Sequence, residues 1–209
     1  MSARDQILNQ LRSNERPAEH PEPWRSRRNF PDLAERFTQT LTAGKGEVIR
    51  AANFEAALNE IDTILHELQA KRVAVNDTAP LDGLDVTKRW PDFEWFVAGK
   101  SEGDIKSFCA GADVGLSGAD AALAETGSVV VSSGPGKSRL ATLLPPVHLA
   151  IVPTSILTSD ILTWTAARQG QPGANRVLVS GPSKTADIEQ VLAIGVHGPK
   201  RFIVVLYDD

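Results

Sequence analysis

The sequence predicts a doubly wound α/β protein: a mostly parallel sheet covered by helices on both faces, preceded by a short helical arm. Three observations carry this. The apolar residues Phe54, Ala57, Leu58, Ile61, Ile64, Leu65 and Leu68 recur at three- and four-residue steps between two strand candidates. The later apolar runs are short and continuous rather than alternating, as expected of strands buried on both faces. Finally, 209 residues, 42% hydrophobic and 23% charged, suit one folded domain with some chain to spare.

In chain order, Ile7, Leu8 and Leu11 mark one side of a short helix. Pro17, Pro21 and Pro23 then interrupt regular structure, since proline fixes φ and lacks a donor. Residues 1–30 therefore read as a helical arm and Pro-rich linker, and 31–209 as the α/β domain. Residues 1–50 carry 9 basic and 7 acidic side chains, leaving 13 and 19 for the remainder, so the arm is slightly positive and the body acidic. The arm reads either as a solvated tail packed loosely on the domain or, because Trp24 and Phe30 need apolar cover, as a segment that reaches a partner or a second copy of the chain.

Leu33, Phe37 and Leu41 lie four apart on one helical face. Residues 47–50 and 72–75 are strand candidates around the clearest helix, whose N-cap is Asn53. Together they form a β-α-β unit with parallel strands. Residues 77–101 show no sustained period. Beyond them the pattern predicts a helix over 104–110, then strands over 113–116, 128–131, 148–152, 176–179 and 202–207. Helices over 159–168 and 185–193 add cover.

Composition narrows the chemistry. With 22 Lys+Arg against 26 Asp+Glu the net charge is −4, a poor basis for nucleic-acid binding. Apolar runs such as 203–206 are far short of the roughly 20 residues of a membrane span. The first residues lack a signal-peptide core, so a cytoplasmic location is expected. The lone Cys109 rules out an internal disulfide and falls short of the four or so thiolates that hold an iron–sulfur cluster. The four histidines lack a paired metal-ligand spacing, so no metal site is expected.

The strongest local signal is Ser180-Gly181-Pro182-Ser183-Lys184-Thr185, read as a strand-to-helix loop. Free N–H groups at the helix start, with the Ser183 and Thr185 hydroxyls and the Lys184 charge, would bind an anion. The loop lacks the spacing of a P-loop or of G-x-G-x-x-G. Glu125, Thr126 and Gly127 precede the strand at 128. There a carboxylate could act as base or nucleophile, and glycine would let a ligand approach the backbone. Arg139 follows the flexible Gly134-Pro135-Gly136 loop and could grip a carboxylate. His148 opens a strand, His197 sits in Gly195-Val196-His197-Gly198-Pro199, and Cys109 reads as a buried small hydrophobe.

These segments, with Leu144-Pro145-Pro146-Val147-His148 and the run Ala186-Asp187-Ile188-Glu189, resemble the LUD-domain family, and within it the lactate utilization protein C group. The resemblance covers roughly residues 110–209; the first half matches in general layout. It implies a fold similar to the sugar-phosphate isomerase and CoA-transferase superfamily. It also implies a part in oxidising L-lactate to pyruvate beside partner subunits that carry iron–sulfur clusters. On that footing this chain binds no cofactor itself, and it supports assembly or presents a small anionic metabolite. The competing expectation is a stand-alone isomerase, CoA-transferase or cyclo-ligase acting on a phosphorylated or CoA-linked substrate, with Glu125 at its centre.

Overall fold

The computed structural model describes residues 2–13, 24–167, 175–185 and 193–209. Its helices are α1 (Ala3–Ser13), α2 (Leu33–Ala43), α3 (Phe54–Glu67), α4 (Val86–Arg89), α5 (Ile105–Ala110), α6 (Arg139–Leu143) and α7 (Ile161–Ala167). The strands are β1 (Glu47–Ala51), β2 (Arg72–Val75), β3 (Glu94–Val97), β4 (Val114–Ser117), β5 (Ala121–Leu123) and β6 (Ser128–Ser132). They continue with β7 (Val147–Pro153), β8 (Leu157–Thr158), β9 (Arg176–Val179), β10 (Lys184–Thr185), β11 (Ala193–Ile194) and β12 (Arg201–Tyr207).

The expected helix forms where its period placed it. Asn53 Oδ1 accepts from the Ala56 N–H at 2.9 Å, supplying a partner that the first helical turn lacks. From there α3 buries Ala57, Leu58, Ile61, Ile64 and Leu65. Each buried Leu or Ile contributes about 1.5–3 kcal/mol relative to exposure. Six parallel strands make the main sheet, in the order β1-β12-β7-β4-β2-β3. β1 and β2 flank α3 and are parallel, as predicted, with three strands between them. The register is continuous: Val73 pairs with Val114, Val114 with Val147, and Val147 with Arg201. Arg201 also forks onto the Glu47 carboxylate at 2.8 and 2.7 Å, fastening the start of β12 to the start of β1.

The two faces are covered differently. On one, α3 and the Trp90–Phe93 segment pack over Val75, Leu116, Leu149, Ile151 and Val205. On the other, α5 and α6 lie over Ala74, while α2 packs over Val204 and Leu206. Beside α2 lies a second sheet, β8-β5-β6-β9, whose β5–β6 and β6–β9 pairs are antiparallel. The apolar runs at 128–131 and 176–179 are thus strands of this second sheet. The first reads as continuous because β6 is covered both by the main sheet and by Trp164 of α7, whereas β9 turns Val177 and Val179 to the core and leaves Leu178 exposed.

The expected helix over 159–168 is α7. The helix expected over 185–193 meets a different outcome at both ends: Lys184–Thr185 pairs antiparallel with Ala193–Ile194, and residues 186–192 lie outside the described residues. The ribbon is closed by the Gly195 N–H on the Ser183 carbonyl. On the arm, α1 buries no residue, and Ile7 and Leu11 are exposed. Further along, the Ser26 hydroxyl bonds the Asp160 carboxylate, Arg28 pairs with Glu125, and Arg36 lies over the Phe30 ring. Among the described residues no helix is long and apolar enough to cross a membrane.

Candidate functional site

In the main sheet β2 is followed by its outer neighbour β3, whereas β4 is followed, through the β5–β6 hairpin and α6, by β7 on its other side. The chain leaves the carboxyl ends of β2 and β4 in opposite directions, and a crevice opens there, the usual place for a ligand in an open parallel sheet. It is lined by Asn76, Thr78 and Ala79 after β2; by Gly118, Ala119 and Asp120 after β4; by Val131 and Ser132 at the end of β6; and by Lys137 in the loop beyond. The cleft measures about 60 Å³, room for a molecule of a few heavy atoms. Gly118 lets the loops after β2 and β4 meet, because a Cβ there would lie 1.9 Å from the Ala79 carbonyl oxygen.

Lys137 Nζ donates to Asp120 Oδ1 at 2.8 Å and reaches Ser132 Oγ at 3.4 Å. Asn76, 1% exposed, accepts the Ser138 N–H on its Oδ1 at 2.8 Å, which pins the loop that carries Lys137. Its Nδ2 has no partner, and a buried donor left unbonded costs about 1–3 kcal/mol. The Asp77 N–H holds the Gly136 carbonyl of the same loop, and Lys100 pairs with the Asp77 carboxylate at 2.8 Å. Arg139 stands just outside, exposed at the start of α6 beside Ser138.

Most other residues singled out in the sequence gather at the far end of the β5–β6 hairpin. Ser128 and Ser132 are four residues apart on β6, about 14 Å at the rise of an extended strand. Here the Thr126, Ser128 and Ser180 hydroxyls form a chain with 2.6 Å links. Lys184 Nζ donates to the Gly44 carbonyl at 2.5 Å, and the Ser183 N–H to the Pro199 carbonyl at 2.9 Å. Gly127 has φ +63° against the Leu41 backbone, and Gly181 lies against the Gly44 carbonyl, with Pro182 following it. Glu125 is paired with Arg28 at 2.9 Å. Gly198 lies against Ser183, which leaves the neighbouring His197 exposed on the adjoining loop.

The structure therefore brings Glu125, Thr126, Gly127 and the Ser180–Lys184 loop together, and keeps Arg139 apart from them. The helix start proposed as an anion cradle is a strand at Lys184 and Thr185, and the Lys184 ammonium and Ser183 N–H are bonded to the protein's own carbonyls. His148 is fully buried, with Nε2 2.9 Å from Ser117 Oγ and its ring 4.9 Å from Phe202. Burial pulls its pKa down to about 3, so the ring is neutral. Among the described residues no hydrogen bond joins it to Glu125 or His197. Cys109 is buried as expected, and burial pushes its thiol pKa up.

Sequence reasoning missed Asn76 and Thr78. The nearest available signal was the polar cluster that ends the apolar run at Val75.

The LUD domain model matches residues 34–207, the whole sheet and its covering layers. Relatives named lactate utilization protein C include one from an Exiguobacterium strain, 41% identical over 56% of this chain and 53% of its own length. Another, from Halalkalibacterium halodurans, is 34% identical over 71% of this chain and 68% of its own. The Bacillus subtilis protein of that name is 36% identical over 59% and 55%. The chain thus spans about half to two thirds of the length of these relatives. Among solved structures, a DUF162 family protein from Deinococcus radiodurans superposes with a TM-score of 0.57 at 19% identity, covering 84% of this chain and 96% of that one. The fold and a match running from α2 through β12 lead to one assignment: the chain belongs to the LUD domain family.

Proposed function

We propose that this protein is a non-redox component of a cytoplasmic lactate-utilization system, one that binds a small anionic metabolite and joins subunits bearing iron–sulfur clusters. The observation that carries this reading is the match of the whole α/β domain to the LUD family, alongside relatives called lactate utilization protein C. Oxidising L-lactate to pyruvate removes two electrons and two protons. The single cysteine, Cys109 of α5, is buried with its thiol form favoured, so the electrons are assigned to the partners. A stand-alone enzyme built on Glu125 is less well supported, since Arg28 occupies that carboxylate and the Ser183 N–H is already bonded.

The test is genetic and biochemical. Deleting the gene in its own host should abolish growth on L-lactate, and the tagged chain should restore growth and co-purify with cluster-bearing subunits. Normal growth of the deletion strain would remove the proposal. The arm, with Ile7 and Leu11 uncovered, is proposed to meet a second copy. Analytical ultracentrifugation should show Leu11→Glu shifting the chain toward monomer; an unchanged mass distribution would argue against that contact.

A further inference from the structure

We propose that the crevice between β2 and β4 is a binding site for a short 2-hydroxy monocarboxylic acid, with Lys137 facing the acid's carboxylate and Asp120 accepting a hydrogen bond from its hydroxyl. This deepens the proposed role by naming a site and a ligand class.

The crevice lies at the carboxyl ends of parallel strands, where the chain departs in opposite directions, and its lining includes the polar residues Asn76, Thr78, Asp120, Ser132 and Lys137. The lysine has three donors, so Nζ can keep Asp120 and still meet an incoming carboxylate. Asn76 is buried, lines the cleft and retains an amide donor with no partner, a cost that a ligand oxygen would relieve. Its orientation is set by the Ser138 N–H on its other terminus.

Charge and size then choose among anions. The lining holds one lysine and one aspartate, so it carries no net formal charge. A phosphate dianion would meet a single cation with a carboxylate beside it, which desolvation makes unfavourable. A monocarboxylate needs only Lys137. Ala79, Ala119 and Val131 offer an apolar wall suited to a methyl-sized group, in a cleft of about 60 Å³ that suits a short acid. Finally, Asp120 distinguishes oxidation states. An ionised carboxylate only accepts hydrogen bonds, so it favours a hydroxyl over the lone pairs of a keto oxygen. The site therefore prefers the hydroxy acid to the corresponding 2-oxo acid.

Calorimetric titration of the full chain with L-lactate, pyruvate and inorganic phosphate tests this. L-Lactate should bind, pyruvate about tenfold more weakly, and phosphate not at all. Lys137→Met should abolish binding of both acids. Asp120→Asn should weaken lactate and close the gap with pyruvate, because an amide can donate to a keto oxygen. Circular dichroism checks that each variant folds. Should Lys137→Met unfold, Ala119→Leu fills the apolar wall without touching the charges and should exclude lactate equally. Absence of lactate binding, unchanged affinity in both Lys137→Met and Ala119→Leu, or equal binding of phosphate would overturn the proposal. A chain that restores growth on L-lactate but binds no hydroxy acid sinks the site and spares the role. One that binds through Lys137 but never restores growth does the reverse.

Discussion

The β5–β6 hairpin has a polar neighbourhood at each end, and the two differ in what their groups are bonded to. At the Glu125–Gly127 end, the Thr126, Ser128 and Ser180 hydroxyls satisfy one another and Lys184 is taken by the Gly44 carbonyl. At the Asp120–Ser132 end, Asn76 keeps an unused donor beside a cleft. Both contain a lysine, hydroxyls and glycines, and the first has the more motif-like sequence. Residue types therefore do not separate a fastening from a site. The count of unmet hydrogen-bonding groups does.

The sharpest way to break that contrast is Gly127→Val. A Cβ there would sit 2.3 Å from the Leu41 nitrogen in a backbone at φ +63°. A loss exceeding about 4 kcal/mol is expected, lowering the melting temperature by about 10 °C or more. An unmoved melting temperature would mean that this end does not hold the fold.

Acid should act next most strongly, and on the core between the two ends. The native state keeps His148 neutral down to about pH 3, while the unfolded chain takes up its proton near the ordinary value of 6.5. Its contribution is thus intact above pH 6.5 and lost as the pH falls from there toward 3, about tenfold in the folding equilibrium per pH unit. Denaturant titrations across that range should show the slope, and His148→Gln should flatten it.

Ser128→Ala strands the Thr126 and Ser180 hydroxyls, and should cost about 1–3 kcal/mol while leaving lactate binding untouched. At the other end, Lys137→Met removes a partly exposed ion pair and should change stability by less than about 1 kcal/mol, even as binding disappears. A large stability loss there would make the crevice a second fastening.

How far the sequence foretold this depends on contact range. The helix after Asn53 was readable because its cap and its period are local, and β12 because its apolar run is unbroken. β3 and α4, four residues each amid Trp90, Pro91 and Trp95, are too short to show a period. β5 is three buried residues, Ala121, Ala122 and Leu123, whose identity as a strand comes from its pairing with β6. The crevice was invisible for the same reason: Asn76, Asp120 and Lys137 come from three loops that meet only once the order β7-β4-β2 is established. Glu125 and Lys184 were visible as chemistry, but their partners Arg28 and Gly44 lie far away in the chain.

The place of β12 bears on biosynthesis. Glu47 and Arg201 are 154 residues apart, yet they join neighbouring strands, and β12 alone bridges β1 to β7. On the ribosome, β1 must therefore wait with an unpaired apolar edge until almost everything described here has been translated. That delay favours slow closure, and makes nascent chains lacking this strand natural clients of chaperones and proteases.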